Sequence, residues 1–156
     1  MKNCLVDAPL RLNELAVDAE PTSDDHITFI GTVRTPWNKT EKPPRMGERS
    51  GPICTIEILR QWRSALSGIE QYPFLEVLYW MHLSRRDLLL QCPADDGLSK
   101  GTFSIRSPIR PNPIATSIVR LESRLEGSLF VRGMDCYDNT PVLDIKPYRR
   151  LCRPLR

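Results

Sequence analysis

Ser117-Ile118-Val119-Arg120-Leu121-Glu122-Ser123-Arg124-Leu125-Glu126-Gly127-Ser128-Leu129-Phe130-Val131-Arg132-Gly133 is the stretch that decides the fold class of this chain. Residues 117–122 alternate apolar and polar side chains, and residues 125–133 do so again around a Gly127-Ser128 turn. That two-residue period predicts an antiparallel hairpin. Working outward, Phe74-Leu75-Glu76-Val77-Leu78-Tyr79-Trp80-Met81 reads as a strong, mostly buried strand that delivers His82 to its far end. His26-Ile27-Thr28-Phe29-Ile30-Gly31-Thr32-Val33 is rich in β-branched and aromatic residues and stops at Thr35-Pro36, as a first strand would. A last strand covers Val142-Leu143-Asp144-Ile145. Leu59, Trp62, Ala65 and Leu66 share one face of a predicted short helix that ends at Gly68 and lies on the core. Several strands, one or two short helices and no regular βα alternation make the chain mainly β, a small barrel or folded sheet.

The 156 residues suit one domain with a sizeable core, and 40% hydrophobic with 26% charged residues is ordinary for a globular protein. No apolar run is long enough to span a bilayer, and Met1-Lys2-Asn3-Cys4-Leu5-Val6-Asp7 has no signal-peptide core, so a cytoplasmic setting is the expectation. Cys4, Cys54, Cys92, Cys136 and Cys152 are irregularly spaced without a C-x-x-C pair, and His26 and His82 are the only histidines. Neither a disulfide framework nor a metal site is indicated. Residues 1–99 carry 11 Lys+Arg against 14 Asp+Glu, whereas residues 100–156 carry 11 against 5. The C-terminal third is therefore basic, and Arg149, Arg150, Arg153 and Arg156 crowd its end, as an RNA contact or a solubilising tail.

Residues 1–25 are polar and read as a mobile extension, with only Leu10 to Val17 suited to a short amphipathic turn or helix. The expected domain covers residues 26–149, and residues 150–156 form the basic tail. Within the domain, residues 36–51 make a long loop of the kind that is commonly functional or disordered. A second, polar loop runs from Pro93 to Gly101.

Two segments carry chemistry. Phe103-Ser104-Ile105-Arg106-Ser107-Pro108-Ile109-Arg110-Pro111-Asn112-Pro113-Ile114 places two guanidinium forks on a rail stiffened by three prolines. It reads either as an anion or nucleotide site or as a solvated loop. Met134-Asp135-Cys136-Tyr137-Asp138-Asn139-Thr140-Pro141-Val142-Leu143-Asp144-Ile145-Lys146-Pro147-Tyr148 gathers three carboxylates, a lysine and two tyrosines. Asp138-Asn139-Thr140-Pro141 is a turn signature, and Asp144 and Lys146 share a strand face, as a functional pair or a structural ion pair. The chain has no G-x-G-x-x-G, no P-loop and no G-x-S-x-G elbow.

Taken together, these two segments closely resemble the paired signatures of the TsaA-like (YaeB-like, TrmO-type) family. Ile30-Gly31-Thr32-Val33-Arg34-Thr35-Pro36, Pro44-Arg45, Gly51-Pro52-Ile53 and His82 after a hydrophobic strand agree with it, and the likeness covers about residues 27–148. The resemblance implies a small non-Rossmann β-barrel that binds S-adenosylmethionine near a homodimer interface. It also implies methylation of the exocyclic amine of N6-threonylcarbamoyladenosine, next to the tRNA anticodon. Carried over by position, the cofactor contacts are Pro44, Arg45, Met46, His82, Leu83, Arg106, Thr116, Gly133, Asp135 and Tyr137. Residue chemistry offers Asp138, Asp144 or His82 to take the amine proton and Lys146 or an arginine to hold the threonyl carboxylate, with Tyr148 as a further catalytic candidate. Met46, Ala115 and Asn139 stand where the family usually has Gln, Gly and Gly. Of these, Asn139 is the mildest, because asparagine tolerates the left-handed backbone that a turn glycine supplies.

Overall fold

The computed structural model describes residues 12, 15–16, 27–93 and 97–149. Its strands are β1 (Leu15–Ala16), β2 (Gly31–Arg34), β3 (Cys54–Ile58), β4 (Phe74–Trp80), β5 (Leu88–Gln91), β6 (Lys100–Gly101), β7 (Ile114–Leu125), β8 (Ser128–Arg132) and β9 (Thr140–Pro147). Two compact units are present, one of residues 1–26 with 81–115 and the other of residues 27–80 with 116–156.

The larger unit is a closed six-stranded barrel in the order β2-β3-β8-β7-β4-β9. Closure removes unpaired strand edges, which small β domains otherwise have to protect. Alternation along each strand puts one set of side chains inside: Val33, Ile56, Leu75, Val77, Val119, Leu129, Val131 and Val142 are all fully buried. At roughly 25 cal/mol per Å² of apolar surface, this filled interior is the main source of stability. β4 shows the pattern most clearly, with Leu75, Val77 and Tyr79 inward while Phe74, Glu76, Leu78 and Trp80 are half-buried on the other face.

The expected hairpin forms, but its turn is at Glu126-Gly127, with Glu126 at φ 51 and with β7 pairing to β8 from Leu125↔Ser128 onward. The first strand is shorter than its composition suggests. It begins at Gly31, because Ile27 and Phe29 remain 46% and 39% exposed and find no core to pack on; His26 lies outside the described residues. The last strand is longer than Val142–Ile145 and extends over Thr140–Pro147. Its flanking prolines disguise it, yet Pro141 pairs with Thr32 and Pro147 with Leu75.

The predicted helix over Leu59–Leu66 is instead a 3₁₀ run, Arg60–Leu66, in which only Leu66 is buried. With three residues per turn, Leu59, Trp62 and Ala65 fall on one row and Arg60, Arg63 and Leu66 on another, so the apolar face drawn at 3.6 residues per turn comes apart. Leu59 and Trp62 are left 45% and 39% exposed.

The smaller unit contains the sheet β1-β5-β6. Leu15 pairs with Leu90 and Ala16 with Leu88, so these two residues are strand where a turn or helix was expected. Apart from them and Leu12, residues 1–25 lie outside the described set, as does the tail 150–156. Gly97 to Lys100 of the polar loop lead into β6, and residues 94–96 are likewise outside.

Candidate functional site

At one end of the barrel the long loop folds over the exit of β8. A Cβ added to Gly47 would lie 1.7 Å from the carbonyl oxygen and 2.4 Å from the carbonyl carbon of Gly133. The contact leaves no room for a side chain at position 47, and Gly133 has φ 106, a conformation that side chains disfavour. Arg132 at the end of β8 fastens the same loop by donating to the Gly51 carbonyl at 2.5 Å, while its Nε pairs with Glu122 at 3.1 Å. Arg49 lies over the Phe74 ring at 4.9 Å.

Between loop and barrel opens a cleft of about 280 Å³. Trp37, Pro44 and Met134 give it apolar walls, Lys42 and Glu48 supply one charge of each sign, and Gly133 presents backbone. An aromatic wall, a cation and a carboxylate around a glycine backbone suit a ligand that is part flat ring and part zwitterion.

Beside Met134, Asp135 is held from inside the barrel. Tyr79 donates to its Oδ1, Ser117 Oγ donates to the same oxygen at 2.9 Å, and the two hydroxyls are 2.8 Å apart. Burial, reinforced by the neighbouring Asp135 charge, holds the Tyr79 phenol well above its usual range, so it serves as a donor throughout ordinary pH. Cys136 is pushed up to about 12 by burial, despite the opposing hydrogen bond with Thr140, and Cys54 to about 11 by burial. Both thiols are therefore inert core residues.

The residues singled out from the sequence fall into separate groups. Pro44 and Gly133 line the cleft, and Arg45 and Met46 sit on its loop, Met46 being 77% exposed. Thr116 donates to Glu76 Oε1 at 3.2 Å, and the half-buried Tyr137 offers its carbonyl to Thr140 Oγ1 at 2.7 Å. Asp138 is built into a turn: it accepts from the Thr35 amide at 3.1 Å and from Asn139 Nδ2 at 2.8 Å, and lies 3.9 Å from Arg34. Asn139 has φ 63, the left-handed conformation expected of the residue replacing a turn glycine.

Asp144 and Lys146 form an ion pair on an exposed face, paired in register with Leu78 and Glu76. The Tyr148 amide donates to the Phe74 carbonyl at 3.0 Å. Asp138 and the Asp144–Lys146 pair are thus engaged at different places, and neither lines the cleft. Trp37, Lys42, Glu48 and the Tyr79–Ser117 support of Asp135 were not singled out from the sequence. Loop residues without a periodic pattern give no such signal, and the hydroxyls meet Asp135 only through strand pairing.

In the smaller unit, His82 and Leu83 are half-buried after β4. The proline rail is pinned by the buried Gln91, which donates to the Ile109 carbonyl at 2.9 Å and to Thr102 Oγ1 at 3.0 Å. Arg110 turns back on the rail, donating to the Ser107 and Ile105 carbonyls at 3.1 and 2.5 Å. That leaves Arg106 as the exposed guanidinium of the segment, without a hydrogen bond or ion pair among the described residues.

Comparison with known proteins agrees with this architecture. Residues 32–152 match the family model for the tRNA-methyltransferase O N-terminal domain. A probable S-adenosyl-L-methionine-binding protein, VirR of Rhizobium radiobacter, is 52% identical over 94% of this chain and 83% of its own. The human tRNA (adenine(37)-N6)-methyltransferase is 38% identical over 78% of this chain but only 29% of its own length. A crystal structure of TrmO from Pseudomonas aeruginosa superposes with a TM-score of 0.65 at 32% identity, covering 84% of this chain and 58% of that one. The chain therefore spans less than two thirds of the solved structure and of the human enzyme. Among the described residues, no helix is long and apolar enough to cross a membrane.

Proposed function

Because this chain belongs to the tRNA-methyltransferase O family, whose N-terminal-domain model spans residues 32–152, we propose that it transfers a methyl group to tRNA. The acceptor in this reading is the exocyclic amine of N6-threonylcarbamoyladenosine beside the anticodon, in a cytoplasmic setting and with the chain acting as a homodimer. The observation that carries the reading is the glycine-seated cleft beside Asp135, together with relatives named for S-adenosylmethionine binding and for tRNA adenine-N6 methylation.

The donor set of the cleft fits S-adenosylmethionine. Trp37, Pro44 and Met134 offer surfaces for the adenine and the sulfonium, Lys42 for the carboxylate, and Glu48 for the ammonium or ribose hydroxyls. Arg45 and Met46 on the loop, with Thr116, Asp135 and Tyr137 on the barrel, complete the proposed cofactor residues of this unit. His82, Leu83 and Arg106 stand as proposals on the smaller unit, Arg106 for an anionic group. When bound, the cofactor supplies an electrophilic methyl group for in-line displacement. The protein's own work is alignment and exclusion of water, which the Gly47–Gly133 seam serves by keeping the loop close. Tyr79 and Ser117 fix the Asp135 carboxylate in one orientation. In the same proposal, Asp144 takes the amine proton and Lys146 holds the threonyl carboxylate, with Asp138 in the turn before β9 and Tyr148 just past its end. Unchanged single-turnover methylation by Asp144→Asn would remove Asp144 from that role.

A second reading, an S-adenosylmethionine-binding regulatory module without tRNA methylation, is favoured by one observation. Relatives matched over most of their own length, such as VirR at 83%, are named only for S-adenosylmethionine binding, whereas the human methyltransferase is matched over 29%. Calorimetry with S-adenosylmethionine tests what the readings share, and no binding defeats both. Tritiated methyl incorporation into total tRNA from a strain lacking the activity separates them, the methyltransferase reading expecting incorporation and the module reading none.

A further inference from the structure

At the other end of β3 and β8 lies a second cleft of about 320 Å³, opposite in the strand direction to the one described above. Its lining includes Thr32 and Ser128, Glu57, and the two arginines Arg60 and Arg63. Glu57 is already neutralised by Arg34 at 3.0 Å. The two remaining cations set the sign of the site.

Arg63 is not a loose surface arginine. A Cβ on Gly127 would lie 2.3 Å from its Nε, 2.6 Å from Cδ and 2.9 Å from Cγ, so the side chain is laid flat across a residue that has none. Its Nε donates to the Ile58 carbonyl at 3.2 Å. The stem is thereby fixed while the two terminal nitrogens have no hydrogen-bond partner among the described residues. A guanidinium held in this way loses little side-chain entropy when it meets an anion. Arg60, one 3₁₀ turn earlier, is exposed and likewise has no partner among the described residues. Trp62, 39% exposed, is outside the lining but shares a 3₁₀ row with Leu59, which is part of it, and offers an indole on which a base can stack.

We propose that this cleft binds single-stranded RNA, with Arg60 and Arg63 on successive phosphates, Thr32 and Ser128 on phosphate or ribose oxygens, and Trp62 stacked on a base. Two cations without an acidic partner among the described residues, two hydroxyl residues and an exposed aromatic are the groups that backbone-tracking RNA sites combine. The inference deepens the tRNA reading given above and rests on it for the choice of RNA over other polyanions.

The test is fluorescence anisotropy of a labelled, unmodified anticodon stem-loop RNA titrated with the full chain at several salt concentrations. Because this probe carries no methyl acceptor, the measurement is independent of catalysis. For Arg60→Ala/Arg63→Gln the slope of log K against log salt is expected to fall by about 1.4 to 1.8, at roughly 0.7 to 0.9 for each phosphate no longer neutralised. Trp62→Ala is expected to weaken binding about tenfold at every salt concentration. Ser128→Glu leaves the Arg63 seat untouched and is expected to lose affinity as well, so a folding defect in the arginine variant does not decide the matter. Calorimetry with S-adenosylmethionine should give the wild-type affinity for all three. An RNA affinity and salt slope unchanged in the arginine variant and in Ser128→Glu would overturn the proposal, as would a wild-type chain that does not bind the probe. So would a drop in oligomer mass for Trp62→Ala with RNA affinity unchanged, which would reassign the patch to a contact between copies. Failure of the methyltransferase reading has a different signature, namely intact RNA binding without methyl incorporation.

Discussion

Replacing Gly47 with alanine tests whether the loop-to-barrel seam builds the methyl-donor cleft. The new methyl group would stand 1.7 Å from the Gly133 carbonyl oxygen and 2.4 Å from its carbon, both backbone atoms of a segment fixed by β8. Neither can swing aside as a long side chain would. Bringing the contact to about 3 Å requires the loop to retreat by more than 1 Å, carrying Pro44 and Glu48 with it. Misplacement on that scale costs about a hundredfold where a site depends on fixed geometry. Gly47 is outside every strand of the barrel, so the retreat is confined to the loop and the strand pairing that carries global stability should hardly move. The expected result is a 10- to 100-fold loss of S-adenosylmethionine affinity by calorimetry with an unfolding midpoint close to wild type. Gly133→Ala, with φ 106 next to β8, should lose both affinity and stability. Wild-type cofactor affinity in Gly47→Ala would refute the assignment of this cleft.

Three further outcomes follow from the same geometry. Tyr79→Phe removes a buried donor to the Asp135 carboxylate and should destabilise the barrel by about 1.5 to 3 kcal/mol in urea unfolding. The same variant with an unchanged midpoint would mean that Ser117 alone satisfies Asp135. The buried thiols make stability depend on alkaline pH: folded Cys54 and Cys136 keep their protons to about 11 and 12, whereas unfolded thiols release theirs near 8.5. The stabilisation is whole below about pH 8.5 and is lost as pH rises toward the folded values, so the urea midpoint should decline from pH 8.5 to 10.5, and less steeply in Cys54→Ala/Cys136→Ala. Asn139→Gly should be tolerated because it keeps φ 63, losing only side-chain bonds to Arg34 and Asp138, while Asn139→Val should cost at least 1 kcal/mol by thermal unfolding.

The barrel was legible where one face of a strand is buried. Phe74–Trp80 and the β7–β8 hairpin alternate because half their side chains point into the core, and that period is written directly in the residues. It was less legible at Leu59–Leu66, where four apolar residues fit a 3.6-residue period but the chain adopts three per turn and exposes Leu59 and Trp62. Pro141 and Pro147 concealed both ends of β9, since proline usually argues against a strand interior. Among the positions taken from the family resemblance, Pro44 and Gly133 line one cleft, and Asn139 takes the left-handed turn conformation. The Gly47–Gly133 contact, the seating of Arg63 on Gly127 and the grip of Tyr79 and Ser117 on Asp135 join residues far apart in sequence. No local pattern encodes such contacts, because the tertiary fold makes them, in the last case through the register of paired strands.

The most direct test of the proposed activity is nucleoside mass spectrometry of tRNA that carries N6-threonylcarbamoyladenosine, incubated with the purified chain and S-adenosylmethionine. Methyl transfer predicts that the threonylcarbamoyladenosine nucleoside is converted to its methylated form, and that Gly47→Ala slows the conversion. A chain that binds S-adenosylmethionine yet leaves that nucleoside unchanged would contradict the account.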